Sequence, residues 1–108
     1  MAFEISEIDA RTRLIATSGK LRGSAAKLLG QQIEELADQG IGRILIDLRD
    51  VPSIDSLGAW AIRRGNELGL EVVTIGAGPE VTEELAFAGA TPTRVNTLEQ
   101  ALGLVVIS

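Results

Sequence analysis

The chain has 108 residues, 45% of them hydrophobic; that makes one domain, large enough to bury a core without metals or disulfides and too apolar to be disordered. Fifteen acidic and ten basic residues leave a net charge of −5, which argues against nucleic acid, whose phosphates need a basic face. With no histidine and no cysteine, nucleophile–base triads, thiol chemistry and the usual zinc sites are excluded, while a carboxylate-only magnesium site stays open.

No apolar run approaches the roughly 20 residues needed to cross a bilayer. Met1-Ala2-Phe3-Glu4-Ile5-Ser6-Glu7 lacks the basic region and apolar stretch of a signal peptide. The missing cysteines fit a cytoplasmic protein. No transferase or hydrolase motif is present, so neither an enzyme nor a cofactor is expected.

Phe3 to Ile8 alternates apolar and polar residues as a half-buried strand does. Asp9-Ala10-Arg11-Thr12 is a polar break, and Arg13–Ser18 is a second strand ended by Gly19. So short a break makes the pair an antiparallel hairpin. Lys20-Leu21-Arg22-Gly23-Ser24 is a loop whose Ser24 suits the N-cap of a helix. Ala25, Leu28, Leu29, Ile33, Leu36 and Ala37 recur at helical spacing and predict its inner face, with Lys27, Glu34, Glu35 and Asp38 outward. Gly40 closes it. The strand Arg43–Leu48 is nearly all apolar, as a central strand covered on both faces is.

A second helix starts at or just after Ser56 and runs to about Leu68, before Gly69. At about 100° per residue, Leu57, Ala61, Gly65 and Leu68, with Ile62 beside them, predict its core face. Ser56, Trp60, Arg63 and Glu67 fall on another side. Glu71–Ile75 is a buried strand. Gly76-Ala77-Gly78 lacks the third glycine of a dinucleotide fingerprint and reads as a turn. Pro79 suits the first position of a third helix lined by Val81, Leu85 and Ala88 and ended by Gly89. Thr93-Arg94-Val95 is a short edge strand. Thr97 caps a last helix through Leu98, Ala101 and Leu102, which Val105-Val106-Ile107 either extends or leaves.

The order β-β-α-β-α-β-α-β-α predicts a single α/β domain over residues 1–108, with a mixed, mostly parallel sheet of about five strands and about four helices. Right-handed crossovers join the parallel strands. Ligands of such sheets collect at the carboxyl ends of strands. Asp55-Ser56-Leu57-Gly58 occupies that place, after the most apolar strand. A serine there meets backbone N–H groups without helical partners and the positive end of the helix dipole. The position suits a capping hydroxyl and suits a phosphate equally. Gly58 is expected to let the helix pack closely on the sheet.

The element order, together with Ile46-Asp47-Leu48 followed by Asp55-Ser56-Leu57-Gly58, resembles the STAS domain, the sulfate transporter and anti-sigma factor antagonist domain. Gly78-Pro79-Glu80-Val81 and Leu85-Ala86-Phe87-Ala88-Gly89-Ala90 also look like the family's third helix and its closing glycine. The resemblance implies that Ser56 is a phosphorylatable serine. In anti-sigma factor antagonists a serine kinase, the anti-sigma factor, phosphorylates that residue from ATP. The unphosphorylated form binds the kinase and frees the sigma factor, a phosphatase resets the switch, and the antagonist is not itself an enzyme. Asp55, Ser56, Leu57 and Gly58 would then contact the partner. Trp60 and Arg63, residue types favoured at interfaces, would continue the contact strip along the helix.

One loop departs from the family's pattern. Antagonists often carry acidic residues after the glycine ending the second strand, whereas Lys20 and Arg22 are basic. The change is expected to alter the partner or to help hold a phosphate on Ser56. A second reading comes from the same family: STAS domains also serve membrane transporters, of lipid-trafficking ABC and anion-transporter type, as subunits or cytosolic domains. There Ser56 would be a packed interface residue without phosphate. A small nucleotide binder of flavodoxin-like fold has little residue-level support.

Overall fold

The computed structural model describes residues 2–107. Its centre is β3 (Arg43–Asp50), whose Ile44, Leu45, Ile46 and Leu48 are all buried. Before it come β1 (Ala2–Asp9), β2 (Thr12–Ser18) and α1 (Ser24–Asp38). After it follow α2 (Ser56–Glu67), β4 (Glu71–Ile75), α3 (Pro79–Phe87), β5 (Thr93–Val95) and α4 (Leu98–Ile107). The five strands lie in the order β1-β2-β3-β4-β5. β1 pairs antiparallel with β2, opposing Ile5 to Ile15, and every other pairing is parallel. The expected element order, hairpin, central strand and edge strand are all present.

Alternation along the strands divides the core between two faces. Ile15, Ile44, Ile46, Leu48 and Val72 pack against Leu29, Ile33 and Leu36 of α1, Ala59 and Ile62 of α2, and Val81 and Leu85 of α3. Leu45, Val73 and Ile75 pack on the other face against Ala101 of α4, joined by Leu14, Val95, Leu98, Leu102 and Leu104. Each large side chain removed from water contributes about 1.5–3 kcal/mol. That is the force holding α2 flat on the sheet, and so the orientation of its N-terminus.

Two helix faces differ from the sequence expectation. In α1 the buried positions are Ala26, Leu29, Ile33 and Leu36, whereas Leu28 is exposed and Ala25 only half-buried. In α2 they are Gly58, Ala59, Ala61, Ile62 and Gly65, whereas Leu57 and Leu68 are exposed. The α2 face is therefore turned by roughly 60° from the one the large apolar residues describe. Close approach is the reason: a Cβ at Gly65 would lie 3.0 Å from Val72 Cγ2. Small residues occupy the tightest side, and larger ones are displaced outward.

Two helix starts also differ, those of α1 and α2. α1 begins at Ser24 itself, with Gly23 in the capping position and no side-chain cap. Thr97 caps α4 as expected: Gln100 N–H donates to Thr97 Oγ1 at 3.1 Å, and Gln100 Oε1 accepts from Asn96 N–H at 2.8 Å. The helix continues through Ile107, so the tail extends it. Among the described residues no helix is long and apolar enough to cross a membrane.

Candidate functional site

The site forms where two loops at the carboxyl ends of β2 and β3 are zipped together. Gly19 N–H donates to Asp50 O at 3.0 Å and Leu21 N–H to Ser53 O at 3.0 Å, and Asp55 N–H returns a 3.3 Å bond to Leu21 O. Leu21 and Ile54 form an isolated parallel bridge. Both are buried, so the bridge is also an apolar anchor. The Lys20–Ser24 loop thus lies beside the Ser56 end of the sheet, as expected.

Asp55, rather than Ser56, caps α2. Its Oδ1 accepts from Gly58 N–H at 2.9 Å, while its Oδ2 accepts from Gly23 N–H at 2.9 Å. An extended residue with a short acceptor is the favoured N-cap, and Asp55 has φ −99 and ψ −177. The two carboxylate oxygens each face a different donor, whereas a serine would bring a single oxygen to that place. Burial raises the Asp55 pKa, but the Gly23 and Gly58 N–H groups, with nearby Arg22, more than offset it and hold the group below the usual carboxylate range. Gly23 supplies its donor from φ 56, a left-handed conformation that favours glycine.

Gly58 has a different neighbour from the one expected. A Cβ there would lie 2.7 Å from the backbone oxygen of Leu21 and 3.3 Å from Ile54 Cβ. Its role is to admit the β2–α1 loop against the first turn of α2, not the helix against the sheet.

Ser56 is the first helical residue and is exposed. With the cap supplied by Asp55, its hydroxyl makes no hydrogen bond among the described residues. It opens onto a shallow shelf of about 480 Å³ shared with Arg22, Asp55, Glu80, Glu83, Glu84 and Phe87. Among the described residues Arg22 is the only cation lining that shelf, and Lys20 is exposed but not part of it. The α3 residues were missed because no local signal joins α3 to α2. Glu80, Glu83, Glu84 and Phe87 are nevertheless spaced as one helical face, and that pattern could have marked them.

Ser56, Trp60 and Arg63 share the outward side of α2, all exposed. Their surroundings diverge. Trp60, half-exposed, and Leu57 flank an apolar groove of about 390 Å³ between α1 and α2, floored by Ala26, Gly30 and Ala61. Arg63 turns the other way, donating to Ala88 O at 3.1 Å and lying 3.8 Å from Glu67. Arg64 pairs with Glu34 of α1 at 3.6 Å. Chemically, the site offers a free hydroxyl on a fixed frame between an apolar groove and an acidic shelf. Among the described residues no group of three or more acidic side chains could hold a metal ion.

Comparison with solved structures finds the same fold. The anti-sigma factor antagonist SpoIIAA in its unphosphorylated form superposes with TM-score 0.78 at 18% identity, covering 99% of each chain. The phosphorylated form of SpoIIAA from Bacillus gives TM-score 0.74 at 20% identity over 96% of this chain and 99% of that one. An anti-sigma factor antagonist from Mycobacterium paratuberculosis gives 0.79 at 21% identity over 96% and 92%. The murine anion transporter Slc26a9 matches with TM-score 0.71 at 12% identity over 95% of this chain but 19% of the transporter. No curated protein matches in sequence. The profile of the STAS domain matches residues 5–101, most of the length, and the chain therefore belongs to the STAS domain family.

Proposed function

We propose that this domain is a cytoplasmic, non-enzymatic binding switch of the anti-sigma factor antagonist type. Unphosphorylated, it docks an anti-sigma factor kinase over Ser56 and releases a sigma factor. The kinase transfers the γ-phosphoryl group of ATP to Ser56 Oγ. A new P–O bond forms, the bond to the β-phosphate oxygen breaks, ADP leaves and the hydroxyl proton passes to the kinase. A phosphatase returns the serine by hydrolysis.

The observation that carries the reading is that the Ser56 hydroxyl is exposed and has no structural duty, since Asp55 holds the cap. Modification can then proceed without unfolding. The phosphate adds about −1.5 to −2 charges, which the positive end of α2 tolerates. A partner packed over Ser56 must instead accept a strongly hydrated charge, and burying an unpaired charge costs several kcal/mol. That is enough to weaken binding about a thousandfold.

Incubation with a cognate anti-sigma kinase and ATP is expected to add one phosphate, lost in Ser56→Ala. An active kinase that never labels Ser56 rejects the switch. The fold shared with the transporter's domain keeps a second reading, in which Ser56 packs unmodified against a transporter subunit. Affinity capture from the native organism separates the two. Loss of a kinase from the Ser56→Asp bait supports the switch, and recovery of permease or ATPase subunits supports the transporter.

A further inference from the structure

The shelf beside Ser56 is a poor place for a phosphate but for one residue. Asp55, Glu80, Glu83 and Glu84 line it with negative charge, and Arg22 is its single cation among the described residues. None of the three glutamates has an ion-pair partner among the described residues, so α3 presents its charge undiluted. The Arg22 guanidinium likewise makes no hydrogen bond or ion pair among them. Its backbone, however, is fixed. Leu21 on one side is buried and bridged to Ile54, and Gly23 on the other is bonded to Asp55 Oδ2 at 2.9 Å. A guanidinium without a hydrogen bond or ion pair among the described residues, on an anchored backbone and lining the same shelf as an exposed hydroxyl, is poised to pair with an anion formed there.

We propose that Arg22 is the counter-ion of the phosphate on Ser56: it closes over the modified serine, offsets the acidic shelf and holds the phosphate against hydrolysis. This rests on the phosphorylation read above, and it assigns Arg22 a positioning role with no part in the transfer itself. A guanidinium matches two phosphate oxygens with two parallel N–H donors, which an ammonium cannot do. In the unmodified protein the same side chain partly neutralises Asp55. Phosphorylation would redirect it and tighten the β2–α1 loop onto α2.

The test uses full-length protein carrying phosphoserine at position 56, installed during translation so that no kinase is needed. The second ionisation of the phosphate is followed by phosphorus NMR against pH. In the wild type it is expected below that of Arg22→Gln by roughly 0.5–1 unit, with Arg22→Lys between them and Lys20→Gln unchanged. Salt near 1 M, where the Debye length is about 3 Å, should shrink the difference. Arg22→Gln should also lose its phosphate faster to a phosphatase. Equal ionisation in wild type and Arg22→Gln overturns the proposal, as does a Lys20→Gln shift of the same size. Because phosphate is built in, a kinase that fails to label Ser56 rejects the switch and leaves this measurement intact.

Discussion

Asp55 Oδ2 and the backbone N–H of Gly23, 32 residues apart in sequence, are joined by a 2.9 Å hydrogen bond. The other oxygen of the same carboxylate caps α2 through Gly58. One side chain therefore sets both the start of the helix and the position of the neighbouring loop: Ser56 is the next residue after it, and Arg22 immediately precedes its partner Gly23. Removing it should be felt at both ends. Loss of a cap costs about 1 kcal/mol, and loss of a second bond to a charged acceptor about 1–2 kcal/mol. Asp55→Ala is expected to lower the unfolding free energy by about 2–3 kcal/mol, read from urea titration. Asp55→Ser should recover the cap alone.

The same carboxylate gives a pH signature. Its native pKa lies below the unfolded value near ~3.9, because donors from Gly23 and Gly58 favour the ionised form over the opposing effect of burial. The contribution is fully present above the unfolded value and is lost as pH falls through the native one. Asp47, lowered chiefly by its hydrogen bond with Arg49, adds in the same direction. Urea midpoints measured from about pH 5 downward should fall more steeply in wild type than in Asp55→Asn. Parallel curves would mean that the bonds do not discriminate between charge states.

Gly58 and Gly30 should respond oppositely to alanine. Alanine favours a helix interior over glycine by about 1 kcal/mol, so an unobstructed site gains. At Gly30 the new Cβ meets Ala61 Cβ at 3.6 Å, an ordinary contact. At Gly58 it meets the Leu21 carbonyl oxygen at 2.7 Å, and backbone held by the Leu21–Ile54 bridge cannot step aside. Gly30→Ala is expected to stabilise by up to about 1 kcal/mol, and Gly58→Ala to destabilise by about 1–3 kcal/mol. Thermal and urea unfolding of the pair decide it.

The contrast between these glycines also marks what the sequence makes legible. Element order could be read because the apolar run Ile44–Leu48 and the punctuation by Gly19, Gly40, Gly69 and Gly89 are local signals. Ser56 at the helix start was legible for the same reason. The rotation of α2 was not, because Gly58, Ala59 and Gly65 carry its core face and small residues contribute little to an apolar count. Nor was the division of labour between Asp55 and Ser56. It depends on Gly23, which approaches only after β2 and β3 pair. The acidic face of α3 became part of the site because α3 packs beside α2, a tertiary consequence.

Trp60 stands half-exposed beside Leu57 over the α1–α2 groove. Partner contacts of this kind centre on aromatic side chains. Trp60→Ala is expected to lower the unfolding free energy by about 1–3 kcal/mol, since half of the side chain is buried, and to leave the domain folded. It should weaken capture of the docked partner at least tenfold, about 1.4 kcal/mol. The chain has one tryptophan, so its emission reports docking directly: a blue shift on partner addition is expected. Unchanged emission together with full affinity in Trp60→Ala would place the interface elsewhere.

Ser56→Asp separates a switch from a strut. The side chain is exposed and unbonded at the first position of α2, where a negative charge interacts favourably with the helix by about 0.3–1 kcal/mol. Glu80, Glu83 and Glu84 across the shelf oppose that gain. The two effects nearly cancel for the isolated domain, and its melting temperature should move by only a few degrees. A partner seated over Ser56 has no such cancellation, because the carboxylate loses water on docking. Binding should therefore fall by orders of magnitude in Ser56→Asp and stay close to wild type in Ser56→Ala, measured by calorimetry with the captured partner. A large loss of stability in Ser56→Asp, with binding to match, would instead assign the serine to the architecture of the helix start.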